Sequence, residues 1–137
     1  MRRERQWTLW IALIAALAWV APPRQGMAAA NWAKARLVTV VTVEYRFLPD
    51  HLVFRHGVAY RLHVVNRGHE LHELTAPDFF KTVEMRNPEV LNREHTELVL
   101  QPGDQKDLYF VTKRPGRYDM RCADHDWAGM TGDITVK

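Results

Sequence analysis

From residue 31 onward the sequence predicts an all-β sandwich, on three observations. Short stretches rich in β-branched and aromatic residues alternate at period two, turn signals containing Gly or Pro separate them at regular spacing, and no stretch sustains a helical period. A chain of 137 residues has room for one such domain and little else.

Leu37 to Phe47 is the first predicted strand, with Leu37, Thr39, Val41, Val43 and Tyr45 on one side. Pro49-Asp50 turns the chain, Leu52-Val53-Phe54 is a short extended piece, and His56-Gly57 turns it again. Val58 to Asn66 alternates, with Tyr60, Leu62 and Val64 on one face and Arg61, His63 and Val65 on the other; Asn66-Arg67-Gly68 closes it. His72 to Thr75 is the next strand, ended by Ala76-Pro77. The pattern then changes: Phe79, Phe80, Val83 and Glu84 predict one short helix or irregular insertion around 78–95, broken by Asn87-Pro88. Glu97 to Leu100 is extended, Pro102-Gly103 turns, and Lys106 to Thr112 alternates with Leu108 and Phe110 inward. After the Pro115-Gly116 turn, Arg117 to Cys122 and Gly132 to Lys137 form the last two strands. No repeat, low-complexity segment or linker divides residues 31–137.

Residues 1–30 have a different character. A basic cluster (Arg2, Arg3, Arg5) leads into an apolar run from Trp7 to Ala21, and small residues follow at Ala28-Ala29-Ala30. That order is the secretory signal pattern, and the run is shorter than the roughly 20 residues of a membrane-spanning helix. Cleavage near Ala30 and a periplasmic location are therefore expected, with no stable membrane insertion afterwards. An uncleaved anchor is the alternative, and Pro22-Pro23 ends the run too early to favour it. Arg2-Arg3 is not extended into a twin-arginine motif, so the export route stays open. Four Arg and one Glu fall in this segment, so of 19 basic and 16 acidic residues 15 of each remain. The basic pI belongs to the signal, and no basic helix or aromatic-basic pattern points to nucleic acid.

A single cysteine in an exported chain needs a reason, since an oxidising compartment favours pairs. Intermolecular pairing, a buried inert thiol and a metal ligand are the candidates, and the neighbours of Cys122 favour the last. Cys122, His125 and Met130 place a thiolate, an imidazole and a thioether within nine residues between two predicted strands. Two His and one Cys in a plane with a weak axial Met form a blue-copper arrangement, because the sulfur donors suit Cu(I) and imidazole supports Cu(II). The second imidazole must come from elsewhere, and His72, at a strand start just after the Asn66-Arg67-Gly68 turn, supplies it.

Here the sequence resembles the cupredoxin family, in particular its small plastocyanin-like and pseudoazurin-like carriers. The sharpest match is C-x-x-H-x-x-x-G-M-x-G-x-I-x-V, present as Cys122, His125, Gly129, Met130, Gly132, Ile134 and Val136. The second is an N-x-G turn leading to His-Glu-Leu, present as Asn66, Gly68 and His72-Glu73-Leu74. Phe47, Pro49, Gly57, Pro102-Gly103 and Pro115-Gly116-Arg117-Tyr118 also fall where such domains place their turns. The resemblance implies a Greek-key sandwich with one copper ion near one end, His72 coming from one loop and Cys122, His125 and Met130 from another. It also implies electron transfer rather than enzymatic turnover, in a monomer that meets a redox partner such as an oxidase, reductase or cytochrome. A copper-handling role, delivering the ion to an acceptor protein, is the alternative. One departure stands out: several members carry Asn after the first histidine, where its amide ties the ligand loops together. Glu73 stands there and, when ionised, can only accept hydrogen bonds.

The remaining candidates have plainer readings. His69 competes with His72 but lies in the turn, and a strand end orients a ligand better. His51, His56, His63 and His95 sit near turns or on an outward face and are expected in solvent, with a weaker second copper site as the alternative. Met120 is expected to pack in the core, and Asp124 and Asp126 to be solvated loop acids. Trp127 either packs under the ligand loop or lies outside in a docking patch with Ala128, Pro77 and Phe79. The exposed edge of His125 is the expected exit for an electron.

Overall fold

The structure, a computed structural model, describes residues 30–137, so the expected export signal lies outside the described residues apart from Ala30. Ten strands follow one another: β1 (Arg36–Val43), β2 (Arg46–Leu48), β3 (His51–Phe54), β4 (Ala59–Asn66), β5 (His72–Thr75), β6 (Val83–Met85), β7 (Glu97–Leu100), β8 (Gln105–Thr112), β9 (Gly116–Arg121) and β10 (Thr131–Val136). One short helix, α1 (Pro77–Phe80), follows β5. The strands form two five-stranded sheets, ordered β2-β1-β4-β8-β6 and β3-β10-β9-β5-β7. This is the Greek-key β-sandwich expected. Among the described residues no helix is long and apolar enough to cross a membrane.

Alternation places the core. Leu62 and Val64 of β4 and Leu108 and Phe110 of β8 are buried and face Leu74, Leu98, Leu100, Met120, Ile134 and Val136 of the other sheet. Phe79 of α1 closes the interior, stacked on Phe54 at 5.7 Å and edge-on to Phe110 at 5.4 Å, which are favoured aromatic geometries.

Two expectations need correction. The first predicted strand is two strands, because the chain turns at Glu44-Tyr45 and returns as β2 against β1. Val40 and Thr42 of β1 face the core, while Leu37 is 60% exposed. The predicted helix stops at Phe80: Val83 and Glu84 belong to β6, whose backbone pairs with Thr112 and Val111 of β8. A sheet edge needing partners outweighs a weak local helical pattern there.

Three connections carry the site. They are the β1–β2 turn, the 67–71 loop before β5, and the 122–130 loop between β9 and β10. Pairing of Thr75 in β5 with Arg121 in β9 brings the second and third together.

Candidate metal centre

Asn66, buried at the end of β4, shapes the first ligand loop. Its side-chain amide donates to the carbonyls of Glu70 at 2.8 Å and Leu100 at 3.0 Å, while its Oδ1 accepts the Gly68 N–H at 2.9 Å. This Asx turn satisfies buried backbone groups and delivers His72, fully buried, to the first position of β5. Gly68 is needed for close approach: a Cβ there would fall on the Glu44 carboxylate and within 2.9 Å of His72 Nε2.

The second ligand loop turns tightly. The His125 N–H donates to the Cys122 carbonyl at 3.2 Å, and residues 126–128 form a single 3-10 turn. Gly129 ends that turn at φ +82°, a left-handed conformation costly for any side chain. The chain thereby doubles back, with the Cys122 N–H donating to the Met130 carbonyl at 3.0 Å and the Met130 N–H to the His125 carbonyl at 3.2 Å. Met130 is fully buried, and its backbone is tied to two of the other predicted ligands.

Folding brings His72, Cys122 and His125 together, one donor atom from each lying within 4.8 Å of the others. Cys122 Sγ is 3.4 Å from His125 Nδ1 and accepts the Glu73 N–H at 3.4 Å. Neither ring nitrogen of His72 has a hydrogen-bond partner although both are buried. An unspent lone pair in the interior is costly, and it faces a thiol and a second imidazole. That donor set fits a soft or borderline transition-metal ion.

Burial dominates the electrostatics. It pushes the Cys122 thiol up, against the backbone N–H groups of Glu73, Asp124 and His125, and it lowers the His72 imidazole, helped by the neighbouring His125. It also raises the Glu73 carboxyl, whose Oε2 is buried without a partner, while the Asp124 and Ala123 N–H groups act in the other direction. Glu73 thus meets the second ligand loop as an acceptor through its side chain and as a donor to sulfur through its backbone.

Three residues that sequence reasoning passed over surround the imidazoles. Glu44 accepts the backbone N–H groups of His69 and Glu70 and lies 3.6 Å from His72 Nε2. The His69 N–H is the main cause holding its carboxyl down at about 2. Glu70 lies 2.9 Å from His125 Nε2 and also accepts the Tyr45 hydroxyl at 3.2 Å. The Tyr45 ring tilts over His125 at 4.8 Å and meets Trp127 at 5.9 Å. Only a tertiary fold reveals this, since Glu44-Tyr45 is an ordinary turn dipeptide in the sequence.

The other candidates are placed as follows. His69 is in solvent, its side chain 96% exposed. His51 pairs with Asp133, His56 with the Lys113 carbonyl at 3.1 Å and His63 with Asp107 at 2.9 Å; none joins a second metal cluster among the described residues. Trp127 lies outside, 77% exposed, with its indole N–H on the Asp124 carbonyl at 2.9 Å. Phe79 is in the core, so the aromatic neighbour of Trp127 is the partly buried Tyr45 instead. The His125 edge is not the open exit expected: its side chain is 11% exposed, under Tyr45 and Glu70.

Fold and site together define a β-sandwich protein with a buried centre of two imidazoles and one thiol. The chain belongs to the cupredoxin-like domain family, whose model matches residues 10–136. Among solved structures, auracyanin B is similar with a TM-score of 0.57 at 22% identity, over 75% of this chain and 89% of that one. Reduced auracyanin from the photosynthetic bacterium Roseiflexus castenholzii gives 0.57 at 15% identity, over 75% and 98%. A purple cupredoxin from Nitrosopumilus maritimus gives 0.48 at 19% identity, over 73% and 99%. At these identities the likeness is one of fold. No curated protein matches the sequence.

Proposed function

We propose that this chain is a periplasmic one-electron carrier in which His72, Cys122, His125 and Met130 would hold a single copper ion. The observation that carries the reading is the convergence of two imidazoles and a thiol within 4.8 Å, with both His72 ring nitrogens buried and unspent. Bound there, copper would supply a Cu(I)/Cu(II) couple suited to this mix of sulfur and nitrogen donors.

The chain's own residues do the rest. His72, Cys122 and Met130 are fully buried and exclude water from the centre. The Asn66 turn and the Cys122–Met130 backbone bond hold both ligand loops in place, so little rearrangement accompanies a change of charge. Tyr45, tilted over His125, and Trp127, the exposed aromatic on the ligand loop, would connect the centre to the surface where a redox partner protein would dock. Asp124 and Asp126, both exposed beside it, favour a partner with a basic rim. The export pattern of residues 1–30 supports the periplasmic location.

Cu(II) added to the purified protein without residues 1–30 tests the reading. An intense thiolate-to-copper absorption is expected, lost in Cys122→Ala, together with a reversible potential. Absence of that band in the wild type defeats the proposal, and ready passage of Cu(I) to an acceptor protein without electron exchange assigns the same site to copper handling.

A further inference from the structure

The outer nitrogen of His125 is not left to solvent. Glu70 Oε2 stands 2.9 Å from His125 Nε2, and Oε1 of the same carboxylate accepts the Tyr45 hydroxyl at 3.2 Å. The carboxylate is itself positioned from behind, because the Glu70 N–H donates to Glu44 at 3.1 Å and the Glu70 carbonyl takes the Asn66 amide at 2.8 Å. Both oxygens are therefore directed by a fixed backbone onto two groups of the site.

An ionised carboxylate only accepts, so the ring nitrogen facing it must carry the hydrogen. A neutral imidazole has one N–H, which leaves the lone pair of His125 on Nδ1. That is the nitrogen 3.4 Å from Cys122 Sγ, where the metal-free thiol has an acceptor for its S–H. The Glu70 contact selects this tautomer, and the sulfur contact is compatible with it, since a thiol can donate to Nδ1 as well as accept from it. Carboxylate-to-histidine contacts of this kind orient metal ligands and raise their basicity. A negative charge across the ring also favours the more positive of two metal oxidation states.

We propose that Glu70 is a positioning residue of the metal centre: held by Tyr45 and the Glu44-anchored loop, it fixes His125 as the Nε2–H tautomer, aims Nδ1 at the metal and biases the couple toward Cu(II). The copper part of this inference rests on the carrier reading, whereas the tautomer does not. Glu70 thereby caps the ligand edge, and the electron's path runs through the aromatic pair beside it.

The test compares wild type, Glu70→Gln and Glu70→Ala. Long-range ¹H–¹⁵N spectra of the metal-free proteins report the His125 tautomer, and backbone amide spectra check the fold. Wild type should show the Nε2–H form. Gln keeps an acceptor but loses the charge, so the tautomer should persist while the potential of the copper form rises. A tenfold change in relative Cu(II) affinity corresponds to about 59 mV for one electron. Ala loses both, giving a mixed tautomer and Cu(II) affinity lower by about 10- to 100-fold. A wild-type His125 with its hydrogen on Nδ1, or a Gln variant with an unchanged potential, overturns the proposal. If the wild type gives no copper–thiolate band, the carrier reading fails, and the metal-free spectra still decide the role of Glu70.

Discussion

Two clusters in this sandwich set imidazoles beside carboxylates, and they differ in what surrounds them. On the outer face of β4 and β8, Asp107 accepts from Arg61 at 2.9 and 3.0 Å and faces His63 at 2.9 Å, half in solvent, with its donors and acceptors matched. At the ligand loops, His72 and Cys122 are fully buried and His125 nearly so, and His72 has no hydrogen-bond partner for either ring nitrogen. An imidazole–carboxylate pair is therefore no sign of a metal site by itself. What separates the two is soft donors brought together with lone pairs that the protein leaves unused.

The largest expected effect breaks the comparison if the reading is wrong. Copper at 1,000 times its Kd should stabilise the folded state by about 4 kcal/mol, measured by urea unfolding with and without metal. Cys122→Ala should abolish that gain, and His63→Ala should leave it intact. Equal loss in both variants would mean that copper acts through surface histidines.

A smaller effect separates backbone strain from site geometry. Gly129 at φ +82° and Gly57 at φ +73° both hold left-handed conformations, and a Cβ at either meets nothing within 4 Å. Ala at each position should cost roughly 1–2 kcal/mol from the backbone alone. Gly129→Ala should also change the copper absorption spectrum, because that residue returns the chain to Met130, whereas Gly57→Ala should not. Matching spectra in the two variants would detach the Gly129 turn from the metal geometry.

How far the sequence foretold these regions follows the range of the interactions. Cys122, His125 and Met130 lie in one short loop bounded by strands, so residue type and spacing were enough to mark them. His72 was readable because the Asn66 turn leads directly into its strand. Glu44, Tyr45 and Glu70 were not, since their contacts to the imidazoles exist only after the β1–β2 turn folds over the 67–71 loop. Both faces of β1 carry apolar residues, so alternation alone did not decide that Val40 points in and Leu37 out. The Val83–Met85 segment became a strand through pairing with β8, a partner 20 or more residues away that no local pattern encodes.

The smallest expected effect belongs to the outer cluster. The Arg61 guanidinium holds the Asp107 carboxyl below its ordinary 3.8 against burial, the second-largest influence, and the His63 ring adds to the lowering. A carboxyl lowered on folding stabilises the native state fully above its unfolded value, and the contribution disappears as pH falls through the folded value. Because these groups are partly exposed, water screens them, and the pair should be worth about 0.2–1 kcal/mol. Urea unfolding of wild type and Asp107→Asn should therefore differ by that amount at pH 7 and converge as the pH drops below 3.8. A difference that persists undiminished in acid would show that Asp107 acts through packing rather than charge. An unchanged copper spectrum in Asp107→Asn at pH 7 would separate it from the ligand loops, where the carboxylates face buried imidazoles that lie beside a thiol.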